Sequence, residues 1–132
     1  MATKMFEVQQ SIFQRLQQYE SFTDKVTGLY DYVPEKTELP YATFGRVHSQ
    51  PLNTKVDTGE TISTTIDVWS QSKGKKEAVE IIAAIEEALK DELQLKNIEI
   101  VSQKISNREV WEENYGLFAG QIDIEIQIME EL

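Results

Sequence analysis

The side chains best suited to chemistry are few in this sequence. There is one histidine, His48, and no cysteine. A histidine acting as a general base or metal ligand needs partners at fixed geometry, and neither a second histidine nor a thiolate is present. His48 therefore reads as an exposed or strand-end side chain. Without cysteine, disulfides, thiolate nucleophiles and zinc–thiolate centres are excluded, which fits a reducing compartment. Carboxylates are plentiful, with Glu109, Glu112 and Glu113 in one stretch and Asp123 and Glu125 in another. Paired carboxylates do acid–base work when burial splits their pKa values. The first group is expected in a turn, the second on the wet face of a strand. "DTGETISTTIDVW" is rich in oxygens but lacks the spacing and central glycine of a calcium loop. "SKGKKE" sits between a strand and a helix, where phosphate loops occur, yet it matches neither G-x-x-x-x-G-K-[ST] nor G-x-G-x-x-G. Lys73, Lys75 and Lys76 oppose the dipole of the helix they open unless an anion sits there. A solvated turn is the simpler reading. No nucleophile–base pair, metal set or phosphate loop is found, so no catalytic residue, cofactor or metal site is expected.

The charge balance narrows the partners. The chain has 132 residues, 13 basic and 23 acidic side chains and a formal net charge of −10. Such a surface repels phosphate, and the lysines of "SKGKKE" are too few to overcome that field. Specific nucleic-acid binding is not expected. Tyr30, Tyr32, Tyr41, Phe44, Trp69 and Trp111 do not suggest base stacking, because stacking platforms come with basic grooves. They suit a core or a protein interface instead. No segment approaches the roughly 20 apolar residues of a membrane helix. The opening "MATKMFEVQQSIFQRL" is amphipathic, without a signal core, and reads as native structure in an unexported chain. The length suits one domain over residues 1–132, able to bury roughly two-thirds of its unfolded surface.

The elements follow from periodicity. Met5, Val8, Ile12, Leu16 and Tyr19 make one stripe on a helix of about four turns, with Thr3 as its N-cap and "SFTD" ending it. "LYDYV" alternates and suits a short extended piece. Pro40 opens a strand, "YATFGRV". Ile62, Thr64, Ile66 and Val68 alternate with Ser63, Thr65, Asp67 and Trp69, the pattern of a half-buried strand. Ala78, Ile81, Ile82, Ile85, Leu89 and Leu93 then line one face of a second helix, with Gly74 at its start. "NIEIVSQKISNREVW" is extended, and its alternation slips between Ile100 and Val101 as a bulge would make it. A turn at Asn114 to Gly116 precedes the last strand. There Ile122, Ile124, Ile126 and Ile128 form one wall, opposite Asp123, Glu125 and Gln127. The economical packing is an α+β fold: an antiparallel sheet of about four strands with both helices on its apolar face, in the order α-β-β-α-β-β. Asp67, Trp69, Asp123 and Glu125 then share the polar face. The stretch Ser49, Gln50, Pro51, Leu52, Asn53, Thr54, Lys55, Val56, Asp57, Thr58 and Gly59 reads as a loop too long for a tight hairpin. Loops near 12 residues tend to be functional or mobile.

Three stretches resemble one family: "LYDYVPEKTELPYATFG", "TIDVWSQSKGKKEAVEIIAAIEEAL" and "GQIDIEIQI". In this order, behind a short amphipathic helix, they are similar to the tail-completion proteins of long-tailed bacteriophages, the SPP1-like tail terminators that join tail to head. The resemblance covers most of the chain and implies a structural role without cofactor or catalysis. Such proteins cap the head-proximal end of the tail tube and face the head connector. They act as a ring, typically of six subunits, through which DNA passes, and some are monomeric until they meet the tail. The implied partners are further copies of the chain, the tail tube protein and the head completion or connector protein. The implied location is the virion tail, after assembly in the host cytoplasm. On that resemblance the Ser49–Gly59 stretch is the candidate assembly loop, and the face carrying Asp67, Trp69, Asp123 and Glu125 is the candidate interface or lumen. A head-side connector or stopper, and a cellular protein-binding adaptor, are the alternatives.

Overall fold

The computed structural model describes residues 1–53 and 58–131. The elements in chain order are α1 (Met5–Gln17), α2 (Glu20–Thr23), β1 (Leu29–Tyr30), β2 (Tyr41–Asn53), β3 (Thr58–Ser70), α3 (Lys76–Ala88), β4 (Ile98–Asn114) and β5 (Leu117–Glu130). The strands form one sheet in the order β1-β2-β3-β5-β4. β1 runs parallel to β2, and every other neighbouring pair is antiparallel.

The α+β class holds, with three corrections. The sheet has five strands and is mixed, because Leu29 and Tyr30 pair with Ala42 and Thr43 in parallel. A one-turn helix, α2, follows α1. Most of the expected loop at Ser49–Gly59 is strand. Ser49, Gln50, Pro51, Leu52 and Asn53 continue β2, opposite Ile62, Thr61, Glu60, Gly59 and Thr58 of β3. Pro51 is tolerated because β1 has ended and β2 is an edge there, where a missing N–H matters least. Thr54, Lys55, Val56 and Asp57 lie outside the described residues.

The core lies between one sheet face and the helices. Ile62, Ile66 and Val68 of β3 interleave with the β5 isoleucines, so that Ile62 faces Ile126 and Ile66 faces Ile122. Val8, Ile12 and Leu16 of α1 and Ile81, Ile82 and Ile85 of α3 close over them. Each such side chain contributes about 1.5–3 kcal/mol when fully buried. The bulge expected near Ile100 is present, between Ile100 and Ser102, and two more follow along β4.

Polar groups from distant segments finish the helix ends. Lys4, not Thr3, is the N-cap of α1 and has no side-chain capping bond. Glu60 of β3 takes that role: its carboxylate accepts the Lys4 N–H at 3.2 Å and the Thr3 hydroxyl at 2.6 Å while only 3 % exposed. An anion there also suits the helix dipole. Arg15 donates to the carbonyls of Ala88 at 2.9 Å, Asp91 at 3.0 Å and Glu92 at 3.1 Å, capping the far end of α3 with positive charge. At the other end of α3 the N-cap is Lys75 rather than Gly74. Gly74 has φ +89°, a conformation that favours glycine, and makes the turn itself. Ser70 donates to Glu77 at 2.6 Å, tying the end of β3 to the first turn of α3.

Thr64 faces the core from β3, and its hydroxyl has no partner among the described residues. An orphaned buried hydroxyl costs about 1 kcal/mol or more. Thr64→Val keeps the shape and removes that cost, so denaturant unfolding should show a gain of about 1 kcal/mol. A loss of stability would contradict this account of the site.

Candidate interface on the polar face of the sheet

The side chains that alternate outward from the core form rows across the strands. Thr43, Asp67, Gln121 and Glu109 make one row, from β2 through β3 and β5 to β4. Thr65, Asp123 and Asn107 make the next; then come His48, Ser63, Glu125 and Lys104. At the end where β2 begins, Tyr41, Trp69, Ala119 and Trp111 lie side by side. The structure thus brings Asp67, Asp123 and Glu125 into adjacent rows, with half-buried Trp69 in the row beyond Asp67.

Each carboxylate has its own support. The Thr65 hydroxyl donates to Asp123 Oδ1 at 2.6 Å, and Gln121 Nε2 donates to Asp67 Oδ1 at 3.1 Å. Lys104 Nζ stands 3.6 Å from Glu125 Oε1. Burial raises the pKa of Asp67; the Gln121 hydrogen bond opposes the rise and the nearby charge of Asp123 adds to it. Gly45 explains how the carboxylate fits, since a Cβ there would lie 2.5 Å from Asp67 Oδ2. Beside this group lies an open polar recess of about 600 Å³ lined by Arg46, Thr65, Gln121 and Asp123.

The other expected residues are scattered. His48 is exposed in β2, opposite Ser63. Glu109, Glu112 and Glu113 lie on β4 and not in a turn, because β4 extends to Asn114. Lys73, Lys75 and Lys76 are exposed around the β3–α3 turn, with Lys76 3.9 Å from Glu80. β2 and β3 pair as far as Asn53 and Thr58, at the end of the sheet opposite the Trp69 row. Sequence reasoning missed Arg46, Gln121 and an apolar pocket of about 180 Å³ between Phe6, Phe13 and Phe44, in which Phe6 is 66 % exposed. The i, i+7 spacing of Phe6 and Phe13, off the Val8–Ile12–Leu16 stripe, was the available signal. Among the described residues no cluster of His, Asp or Glu is arranged to hold a metal, and no helix is long and apolar enough to cross a membrane.

With this arrangement in view, a family model described as tail completion protein gp17 matches residues 10–128. The chain belongs to that family. It is a structural protein of a virion tail and not an enzyme. Two solved structures are similar in fold. A chain in the virion of a native gene transfer agent particle superposes with a TM-score of 0.86 at 19 % identity, covering 97 % of this chain and 99 % of that one. The bacteriophage SPP1 gp17 protein superposes with a TM-score of 0.67 at 21 % identity, covering 92 % and 88 %. Among curated proteins none matches the sequence.

The raised pKa of Asp67 gives a signed expectation. As pH rises past the ordinary aspartate value of 3.8 the unfolded chain loses this proton first, so the folded state is penalised, fully so above the raised pKa. Asp67→Asn keeps an acceptor for Gln121 and removes the charge. Melting temperatures should be higher for the variant at pH 7, with the difference shrinking as pH falls and vanishing below the ordinary value. A lower melting temperature at pH 7 would contradict this.

Proposed function

We propose that this tail-completion protein caps the head-proximal end of the tail tube and joins it to the head connector, as a closed ring. The resemblance that identifies the family implies six copies. The observation that carries the reading is the one-sided build of the sheet. Helices cover one face, while the other bears Asp67, Asp123 and Glu125 with no helix over it among the described residues. A ring needs head-to-tail contacts that close, and a sheet with two free edges supplies matching surfaces on opposite sides of each copy. The partners proposed are further copies of the chain, the tail tube protein and the head completion or connector protein. Assembly takes place in the host cytoplasm.

Two regions receive roles. The open face lines the lumen, where carboxylates let DNA phosphates slide without sticking. The end of the β2–β3 hairpin meets the tail. Gly59, buried beside Ile128 and Met129, and Glu60, which caps α1, cannot be removed without harm to the fold. The replaceable part of the former loop is therefore Thr54–Asp57.

Purified protein should bind isolated tails and not filled heads in a sedimentation assay. Replacing residues 54–57 by Asn-Gly, a favourable two-residue hairpin turn, should keep the melting temperature and abolish tail binding. Binding to filled heads alone would favour a head-side stopper; tail binding by the shortened variant would remove the hairpin's role. Combining Asp67→Asn, Asp123→Asn and Glu125→Gln should slow DNA ejection from assembled particles. Unchanged ejection would place these carboxylates away from the lumen.

A further inference from the structure

The two edges of the sheet are open in a complementary way. β4 pairs with β5 alone along its course from Ile98 to Asn114. β1 covers β2 only at Ala42 and Thr43. From Phe44 to Asn53 no described strand covers the outer side of β2. Uncovered strands present backbone N–H and C=O groups that another strand can satisfy.

Direction matters next. β2 and β5 run one way; β3 and β4 run the other. Copies related by rotation about an axis along the strands keep that sense. Setting β4 of one copy beside β2 of the next then makes an antiparallel pair, the type that dominates within the sheet. Each addition leaves the same two edges free for another copy, as a head-to-tail ring requires.

Side chains choose a register. Arg46 is exposed at the bulge between Phe44 and Val47 and has no ion pair among the described residues. Glu109 is exposed on β4, one row nearer the Trp69 end than Asn107. A stagger of one row sets Glu109 against Arg46, Asn107 against His48 and Lys104 against Gln50, all within the uncovered part of β2 and with no like charges facing. Stagger of this kind is what closing a sheet demands. Pro51 and the bulges of β4 make either edge a poor template for an unmatched strand. We infer that β4 of one copy adds to the open edge of β2 in the next, with Glu109 paired to Arg46, so that the sheet runs unbroken around the ring. This rests on the ring reading above.

The absence of cysteine makes the test clean. The double variant Arg46→Cys/Glu109→Cys places one thiol on each edge. Within a chain β2 and β4 are three strand spacings apart, about 14 Å, beyond the roughly 7 Å Cα separation a disulfide spans. Particles assembled with this variant in place of the native gene, mildly oxidised, should give a ladder of reducible multimers on a denaturing gel. Either single variant should give monomer. If the double variant stays monomeric while an amine cross-linker yields multimers, the edge contact is wrong and the ring stands. If both reagents yield monomer alone, the ring reading fails and takes this inference with it. Should the double variant not assemble, charge exchange decides. Arg46→Glu and Glu109→Arg should each lose joined particles and together restore them; absence of rescue overturns the contact.

Discussion

Ile122, Ile124, Ile126 and Ile128 project from alternate positions of β5 into the space beneath the helices, and each is at most 1 % exposed. The same alternation sends Gln121, Asp123, Glu125 and Gln127 to the opposite face. A slip of one residue would bury carboxylates and expose isoleucines, so the register of β5 against β3 is strongly fixed. The separation of a dry face from a wet one follows from this. So does the placement of helices on one side only, because an amphipathic helix has nothing to bury against the acidic side.

Hydrophobic burial sets which side the helices take but leaves their ends unspecified. Glu60 and Arg15 supply that. Glu60 reaches from β3 to the start of α1, and Arg15 reaches from α1 to the Ala88 carbonyl that ends α3 and the Glu92 carbonyl beyond it. These are charged groups placed where helix dipoles favour them. They link the central strand β3, α1 and α3 into one frame. The polar face is left clear of such ties and carries a different chemistry, with Asp67 held beside Gly45 and Gln121 at some cost in ionisation.

Much of this was legible from spacing alone. The period-two runs of β3 and β5, the stripes of α1 and α3 and the slip at Ile100 are local patterns, and local patterns survive in a sequence. The common face of Asp67, Trp69, Asp123 and Glu125 followed from the same alternation. What was not legible depended on distant partners. β2 continues through Pro51 because β3 pairs with it there, although Pro51 and Asn53 look like loop residues. Leu29 and Tyr30 read as extended, but their parallel place in the sheet depends on β2 lying alongside. Glu60 reads as a surface charge until the Lys4 N–H, 56 residues away, is found against its carboxylate. The job itself was legible only through family resemblance, since a structural protein offers no catalytic motif to find.

The central claim is that the chain completes the tail and allows it to join the head. The most direct measurement is to disrupt the gene in the genome that carries it and image the resulting lysate by electron microscopy. The account predicts filled heads beside unattached tails, with joining restored when the gene is supplied in trans. Normal joined particles in its absence would contradict it.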